Sequence, residues 1–322
     1  MSGYIALQRD EVSRWLEYQD CTASVREAMK AFSADGTRQP LRQIHEVGQG
    51  NFFALMPGVF GAPLGFGAKL VSVWRCPDSG RSFHNGVVVS FEPETGAIRM
   101  VADAHEITKI RTACASAVAT ECLSRKDSRV LTVIGAGTQA DAHIRALSLV
   151  RDFSDILVVG RNAERAARFV DDIGMETGLP VRLAQNARQA ASNADVICTV
   201  TTSDQPVLFG DWVRPGTHVN LVGSSHDGPV EADSQLVKKG LFVVDSRHSA
   251  LAAAAELRRA VSAGVVDEDH IHAEIGEVLL ARAPGRTRAD QVTIYKSLGH
   301  ICQDLAALAC LEQRLARNGL AS

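Results

Sequence analysis

Residues 131–140, LTVIGAGTQA, constrain the fold of this chain more than any other segment. An apolar run ends in a turn with two glycines, and the following residues, DAHIRALSLV, continue as a helix. The spacing Gly135-x-Gly137-x-x-Ala140 is that of dinucleotide-binding βαβ units. The first glycine permits the tight turn, the second lets the backbone approach a pyrophosphate, and the helix amides face the phosphates. A second strand follows at 155–160, as this context requires, so the turn predicts a dinucleotide site.

Two kinds of segment follow each other along the chain. From residue 129 to 245, strand-like apolar runs alternate with helical segments. In order these are RVLTVIG, a helix at 138–150, DILVVG, a helix at 162–176, VRLA, a helix at 186–193, DVICTVT, HVNLVG and LFVVD. Such alternation predicts a parallel sheet covered by helices on both faces. Residues 38–101 instead carry short β-rich runs separated by turn clusters such as EPETG, which predicts antiparallel hairpins.

Three further segments read as helices. They are residues 1–35, with Thr22 as the expected N-cap, residues 105–124, and the C-terminal SLGHICQDLAALACLEQRLAR. We expect the last helix to return to the N-terminal domain and make it discontinuous. The predicted fold class is therefore α/β, with a Rossmann dinucleotide-binding domain at 116–296 inserted in an α+β domain of residues 1–115 plus 297–322.

Composition and charge exclude several classes of function. The chain has 322 residues, 46% of them hydrophobic, and a net charge of −3, which favours neither nucleic acid nor an anionic membrane as a partner. No apolar run reaches the roughly 18 residues that span a bilayer, and the N-terminus lacks an export signal. We therefore expect a cytoplasmic protein. Its seven cysteines are never spaced Cys-x-x-Cys and predict reduced thiols, and we predict no metal site.

The residues after the second strand bear on which nicotinamide dinucleotide would bind. NAD enzymes usually carry an Asp or Glu about 20 residues past the glycines, where it accepts from the ribose 2′-hydroxyl. This chain has Gly160-Arg161-Asn162 there instead. A guanidinium can pair with a 2′-phosphate through two hydrogen bonds. Arg161 therefore favours NADP(H), with NAD(H) as the alternative.

Several collinear stretches together resemble the ornithine cyclodeaminase/μ-crystallin family. They are QPLR (39–42), FGAKLVS (66–72), FEPETG (91–96), ITKIRTACASAVAT (107–120), VIGAGTQA (133–140), LFGDWVRPGTHVNLVGSS (208–225), FVVDSR (242–247), EIGEVL (274–279) and YKSLG (295–299). The resemblance covers nearly the whole chain. It implies a substrate-binding and dimerisation domain, an inserted Rossmann domain, and a homodimer built through the β-rich part. Members include ornithine cyclodeaminase, alanine dehydrogenase and reductases of 2-imino acids.

The family's carboxylate-binding residues fall on Arg42, Lys69 and Arg111. Physical chemistry agrees with this assignment, because three cations on one cleft repel one another unless an anion lies between them. Guanidinium groups suit a carboxylate. Arg111 interrupts a helix of small residues and Lys69 lies in an apolar strand, where a charge tends to be paired or functional.

Two positions depart from the cyclodeaminase pattern. Ser225 stands where ornithine cyclodeaminases carry an Asp for the side-chain amine, and Ala54 stands where they carry a Glu. Both changes remove a carboxylate suited to a second amine. A serine at 225 is closer to the μ-crystallin type, which is associated with ketimine reduction.

We therefore predict NAD(P)H-dependent reduction of a 2-imino acid to the L-amino acid, reversible as an amino acid dehydrogenase. The substrate would be a cyclic ketimine such as 1-pyrroline-2-carboxylate, or an open-chain imine such as iminosuccinate or iminopyruvate. The candidate catalytic residues are Lys69, His84 and Arg111, with Lys69 or His84 supplying the proton. The candidate substrate-binding residues are Arg42, Lys69, Arg111, Ser225 and His226.

The resemblance also implies a set of cofactor contacts. They are Gly135, Gly137, Thr138, Gln139, Arg161, Thr201, Val222, Gly223 and Ser297. Two alternatives to imine reduction stay open. One is an ornithine or lysine cyclodeaminase, and the other is a non-catalytic, NADPH-dependent ligand-binding protein of the μ-crystallin type.

Overall fold

The computed structural model of the chain describes residues 3–34, 40–61, 64–75, 82–226 and 228–320, without the side chains at 75 and 82–84. The chain forms two compact units. Unit 1 comprises residues 1–112 and 300–322, and unit 2 comprises residues 113–299.

The strands and helices of the described ranges are numbered here in chain order. The strands are β1 (Ile5–Leu7), β2 (Gln43–Gly48), β3 (Asn51–Val59), β4 (Phe66–Arg75), β5 (Ser82–Phe91), β6 (Ile98–Asp103), β7 (Val130–Ile134), β8 (Asp155–Val159), β9 (Val181–Leu183), β10 (Val196–Thr199), β11 (His218–Leu221), β12 (Leu241–Val244), β13 (Ile271–Glu274) and β14 (Thr293–Lys296). The helices are α1 (Arg9–Trp15), α2 (Tyr18–Ala34), α3 (Ala104–Leu123), α4 (Thr138–Ser148), α5 (Ala163–Thr177), α6 (Ala187–Asn193), α7 (Ser234–Lys239), α8 (Arg247–Ala253), α9 (Ala255–Ser262), α10 (Ile275–Leu279) and α11 (Ile301–Arg317).

Unit 1 is built on a six-stranded sheet in the order β1-β6-β5-β4-β3-β2. Strands β2 to β6 pair antiparallel in sequence order, as the β-rich texture predicts, and β1 joins β6 in parallel. The prediction for the N-terminus was wrong in two details. Residues 5–7 form a strand rather than part of a helix. Thr22 lies inside α2, where its hydroxyl donates to the Tyr18 carbonyl oxygen, so it is not an N-cap.

The two faces of this sheet differ in burial. Met56, Lys69, Val88 and Ala102 lie side by side in register and are all buried. Helix α11 packs against α2 and against β3, β4, β5 and β6. The alternate residues of the same strands, which point to the other face, are partly or fully exposed apart from Asn51, although many of them are apolar.

Unit 2 is built on an eight-stranded parallel sheet in the order β13-β12-β14-β11-β10-β7-β8-β9. Every residue of β10 and β11 is buried, as expected for strands covered by helices on both faces. The α/β fold class is therefore confirmed. Strands β13 and β14 and helices α7, α9 and α10 were not predicted from the sequence. These elements are short, between four and eight residues each.

Candidate functional site

Two of the predicted cations, Lys69 and Arg111, meet at one buried carboxylate. Lys69 comes from the middle of β4 and Arg111 from α3, and both side chains are at most 6% exposed. The carboxylate belongs to Asp304 on α11 and is fully buried. Its Oδ1 accepts from Lys69 Nζ at 3.2 Å and from Arg111 Nε at 2.9 Å. Lys69, Arg111 and Asp304 are called the anion clamp below.

Neighbouring polar groups fix the direction of each cation. Gln303 Oε1 accepts from Arg111 NH1 at 2.7 Å. Thr108 Oγ1 accepts from Lys69 Nζ at 2.5 Å and donates to the Ala104 carbonyl oxygen. The bonds to Asp304 and Gln303 use two of the five N–H groups of Arg111. Its other donors contact no acceptor among the described residues and can bind a ligand anion.

The pKa values of Lys69 and Asp304 in the anion clamp are both lower than usual. The pKa of Lys69 is lowered to about 7, chiefly by burial and also by the positive charges of Arg111 and Arg42, while Asp304 opposes them. Burial alone would raise the pKa of Asp304, but Arg111 and Lys69 outweigh it and hold that pKa below its usual range. The positive charge of Arg42, the residue before β2, also acts on Lys69.

Two histidines relate differently to the clamp. His300 begins α11 as its N-cap, and its ring lies 4.2 Å from that of Phe32. Burial lowers the pKa of His300 to about 4, with a smaller opposing effect of Asp304, so this histidine is neutral at pH 7. The predicted His84 lies on β5 with its backbone opposite Val73, four residues along β4 from Lys69 or about 13 Å. The side chain of His84 is outside the described part of the structure.

The glycine turn in unit 2 lies between β7 and α4. Gly135 has a φ of +131°, and a Cβ there would lie 2.9 Å from the Val200 carbonyl oxygen. Gly137 is the N-cap of α4, no side chain caps that helix start, and a Cβ at Gly137 would meet nothing within 4 Å. Ala140 is completely buried. The first amides of α4 thus face open space, which fits a phosphate group.

The other predicted cofactor contacts follow the carboxyl ends of neighbouring parallel strands. They are Thr138 and Gln139 after β7, Arg161 after β8, Thr201 after β10, Val222 and Gly223 after β11, and Ser297 after β14. Ligands of open α/β sheets bind at this edge. Two buried polar atoms here, Gln139 Oε1 and Ser297 Oγ, have no hydrogen-bond partner among the described residues. These features together fit a bound dinucleotide.

Glu231 ties two of the strand ends together. Its Oε1 accepts from the Thr201 amide and hydroxyl at 2.6 and 2.8 Å. Its Oε2 accepts from the Thr199 hydroxyl and the Gly223 amide, both at 2.7 Å. Burial raises the pKa of Glu231, and Lys296 partly opposes this. These contacts make Glu231 a structural residue of the strand ends.

Beside Glu231 lies a second buried ion pair. Lys296 Nζ is 3.0 Å from Glu256 Oε2 and donates to the carbonyl oxygen and hydroxyl of Ser224, each at 2.5 Å. Glu256 Oε1 also accepts from the Ser224 hydroxyl and from the Glu231 amide. This network fixes the segment after β11, in which Ser225 is partly buried and His226 is exposed.

The end of β8 presents Arg161 without a carboxylate beside it. Arg161 is exposed and makes no ion pair with the described residues. The next side chain, Asn162, is the N-cap of α5 and accepts from the Arg165 amide at 2.8 Å. The guanidinium of Arg161 is therefore the charged group that this strand end offers to a ligand.

Sequence reasoning missed Asp304 and Gln303, which hold the cations of the clamp, and Lys296, which pairs with Glu256. A signal for each is present in the sequence. The pair QD interrupts the apolar helix ICQDLAALACL, and a lysine ends the apolar strand TIYK. A charge at such a position is usually paired in the fold. Its partner lies far along the chain, however, and only the tertiary structure identifies it.

Three structural findings bear on the other predictions. In the described ranges, no helix combines the length and apolarity needed to cross a membrane. The same residues contain no cluster of three or more His, Cys, Asp or Glu side chains that could hold a metal ion. The described cysteines form no disulfide.

Comparison with known proteins gives consistent matches over nearly the whole chain. The family model "Ornithine cyclodeaminase/mu-crystallin family" matches residues 4–319. The ketimine reductase mu-crystallin of Mus musculus is 33% identical over 274 residues, which are 84% of this chain and 83% of that protein.

Two solved structures extend the comparison to the fold. The structure of Thermococcus litoralis Delta(1)-pyrroline-2-carboxylate reductase with NADH and L-proline has a TM-score of 0.92 at 30% identity and covers 99% of both chains. The iminosuccinate reductase of Paracoccus denitrificans with NAD+ has a TM-score of 0.91 at 25% identity, covering 99% of this chain and 98% of that one. The chain belongs to the ornithine cyclodeaminase/mu-crystallin family.

Proposed function

We propose that this protein is an NAD(P)H-dependent oxidoreductase that reduces a 2-imino acid to the L-amino acid and runs in reverse as an amino acid dehydrogenase. The observation that carries the proposal is the anion clamp. Two buried cations share a single buried carboxylate, and Arg42 adds a third positive charge. An excess of buried positive charge is costly unless an anion joins it, and a 2-carboxylate supplies that anion.

The chain's own residues would bind the substrate and supply its proton. Arg111, with donors left over after its bonds to Asp304 and Gln303, orients the carboxylate. Reduction is easier on an iminium than on a neutral imine, because the nitrogen then accepts the electron pair without becoming an anion. Lys69 is the proton donor that we favour, since its pKa of about 7 lets it hold or release a proton near neutrality. His84 stays the second candidate for this role.

Unit 2 would hold the dinucleotide, which supplies the hydride when bound. The glycine turn and the amides of α4 would bind the pyrophosphate. Thr201, Val222, Gly223 and Ser297 would line the rest of the site. Arg161 favours NADP(H), because it offers an unpaired guanidinium where NAD enzymes offer a carboxylate. Residues 116–296 would then be the NAD(P)-binding domain, and residues 1–115 plus 297–322 the domain for substrate and dimerisation.

The substrate is a cyclic or open-chain 2-imino acid. The named relatives include a ketimine reductase, a pyrroline-2-carboxylate reductase and an iminosuccinate reductase, which supports this class without choosing within it. Ser225 and Ala54 provide no carboxylate for a second amine, which argues against a cyclodeaminase. Ser225 and His226 are our candidates for contacts to the remainder of the substrate.

We also propose a homodimer in the cytoplasm. The second face of the unit 1 sheet carries partly or fully exposed apolar side chains in register, including Leu55, Leu70 and Val87. A continuous apolar face of this kind is typical of an interface. The absence of disulfides among the described cysteines agrees with a reducing compartment.

The assay measures the loss of NADPH or NADH absorbance in the presence of each member of a panel of imines. It includes 1-pyrroline-2-carboxylate, 1-piperideine-2-carboxylate, and pyruvate or oxaloacetate with ammonia. We expect turnover of at least one of them, and no turnover of 1-pyrroline, which has the C=N bond but no carboxylate. In Arg111→Gln, kcat/KM should fall by about 100-fold, since a buried charge-assisted contact is lost.

Each other outcome of the panel has a definite meaning. If 1-pyrroline is reduced as fast as the imines that carry a carboxylate, the proposed role of the anion clamp in substrate binding is refuted. Absence of turnover with every imine and both cofactors would refute the enzyme assignment. Proline formation from ornithine with catalytic NAD+ would establish the cyclodeaminase instead.

A further inference from the structure

The anion clamp depends on a residue that does not need to touch the substrate. Asp304 is fully buried on α11, and its Oδ1 is shared by Lys69 Nζ and Arg111 Nε. Its Oδ2 is buried without a hydrogen-bond partner among the described residues. Because Asp304 is buried, its carboxylate is not accessible to cations in solution. Among the described residues, it accepts hydrogen bonds from Lys69 and Arg111.

Without Asp304 the two cations would repel each other in a buried environment. Like charges repel more strongly in a buried environment than in water, so two such cations stay together only with a counter-charge between them. Asp304 is the acidic residue that contacts both. The neighbouring Gln303 holds a second N–H group of Arg111, and thus one turn of α11 controls the orientation of the guanidinium.

We propose that Asp304 is the positioning residue of the substrate site: its shared oxygen keeps Lys69 charged and Arg111 aligned before the substrate carboxylate arrives. This inference rests on the proposed function and assigns a role within it. The substrate then enters a preformed cation pair and does not have to assemble one. Gln303 assists by fixing the direction of Arg111 without contributing charge.

The titratable and charged groups facing Lys69 come from three directions. Asp304 lies on α11, Arg111 lies on α3, and Arg42 precedes β2. His300, the N-cap of α11, is affected by Asp304 and Arg111 and is neutral. Of these groups, Asp304 raises the pKa of Lys69, whereas Arg111 and Arg42 lower it. Replacing Asp304 by a neutral residue must therefore lower the pKa of Lys69, so that the lysine loses its proton at a lower pH.

The test is Asp304→Asn, which keeps the shape of the side chain and removes its charge. In the wild type, kcat/KM should fall as the pH rises through the pKa of Lys69, because the neutral amine no longer attracts the carboxylate. In Asp304→Asn this fall should move to lower pH by about one unit or more, the usual effect of an opposite charge at this distance. At pH 7.5, KM should rise at least about tenfold.

A second variant separates charge from alignment. Gln303→Met removes a bond to Arg111 and leaves all charges unchanged, so it should raise KM without moving the pH profile. Glu312→Gln is the matched control. It neutralises another α11 carboxylate that pairs with an arginine, Arg99, about 12 Å further along the helix. Its pH profile and KM should equal those of the wild type.

The outcomes can be told apart even if a variant folds poorly. An Asp304→Asn protein with lower thermal stability but wild-type KM and pH profile would show a purely structural role and overturn the inference. If Asp304→Asn is insoluble, Asp304→Glu replaces it. That variant retains the charge but displaces it, and we expect a raised KM with the pH profile preserved. A wild-type KM in Asp304→Glu would equally overturn the inference.

A binding experiment keeps this inference separate from the proposed function. Calorimetry with the unreactive planar acid pyrrole-2-carboxylate reports on the clamp without any turnover. If the wild type reduces no imine but binds this acid more tightly at pH 6 than at pH 8, and Asp304→Asn weakens that binding, the proposed function fails while the role of Asp304 stands. If the acid binds wild type and Asp304→Asn equally, the role of Asp304 is refuted.

Discussion

Lys69 shows which properties of a residue can be inferred from the sequence and which require the folded structure. A lysine inside the apolar strand FGAKLVSVW is expected to be paired or functional, and this could be concluded from the sequence alone. The sequence could not provide its pKa. That value depends on burial and on charges from α3, α11 and the segment before β2, which lie 27 to 235 residues away in sequence. Such distant neighbours leave no local pattern around residue 69.

Arg161 carries the cofactor preference at the residue scale. Arg161→Ala should raise KM for NADPH by about 10- to 100-fold and leave KM for NADH nearly unchanged, because only NADPH has the 2′-phosphate that a guanidinium can bind. Steady-state kinetics with both cofactors measures this. The control is Arg168→Ala, which removes another exposed arginine of the same βα unit. Equal losses for NADH and NADPH in Arg161→Ala would remove the basis for preferring NADP(H).

At the scale of elements, the β7–α4 connection could be predicted in detail and other connections could not. Its glycine spacing, its apolar strand and its helix are all encoded within 20 consecutive residues. Helices α7, α9 and α10 and strand β13 are short, and their periodicity is too brief to stand out from the surrounding loops. Strand β1 was missed for the same reason, since it has only three residues and pairs with β6 far along the chain.

The two glycines of this connection should respond differently to alanine. Gly135→Ala should destabilise unit 2 by about 1–3 kcal/mol, because alanine would have to adopt a φ of +131° and press on the Val200 carbonyl oxygen. Gly137→Ala meets no atom within 4 Å, so the thermal midpoint should change little. Its methyl group would nevertheless lie where we place the pyrophosphate, and NADPH affinity should fall at least about tenfold.

Thermal unfolding and NADPH fluorescence titration separate these two effects. An unchanged NADPH affinity in a well-folded Gly137→Ala protein would contradict the placement of the pyrophosphate at this turn. An unchanged thermal midpoint in Gly135→Ala would contradict the steric account of the first glycine.

At the scale of the whole molecule, the two faces of the unit 1 sheet differ in burial. One face packs under α11 and includes Lys69, while the other carries apolar side chains that are partly or fully exposed in the single chain. The β-rich texture of residues 38–101 predicted these strands. It could not show which face the helices would cover, because α11 returns from the opposite end of the chain.

Charging the uncovered face should dissociate the proposed homodimer. In Leu70→Glu the new carboxylate would lie near the centre of that face, beside Leu55 and Val87, where burying it against a second copy is unfavourable. Light scattering should show a shift from twice the chain mass toward the monomer. Met175→Glu is the control, since it places a charge at a residue of α5 that is 79% exposed. A wild type that is monomeric, or a Leu70→Glu protein of unchanged mass, would refute this interface.

The sequence by itself determined the α/β class and the glycine turn, because periodicity and short motifs act over a few residues. Its resemblance to the family pointed to the three candidate cations. The tertiary structure decided how those cations are held. Asp304 lies 235 residues from Lys69 and 193 from Arg111, so their shared contact exists only after α11 packs on the sheet. Contacts between distant segments depend on how complete elements pack together, and that information is distributed over the whole chain.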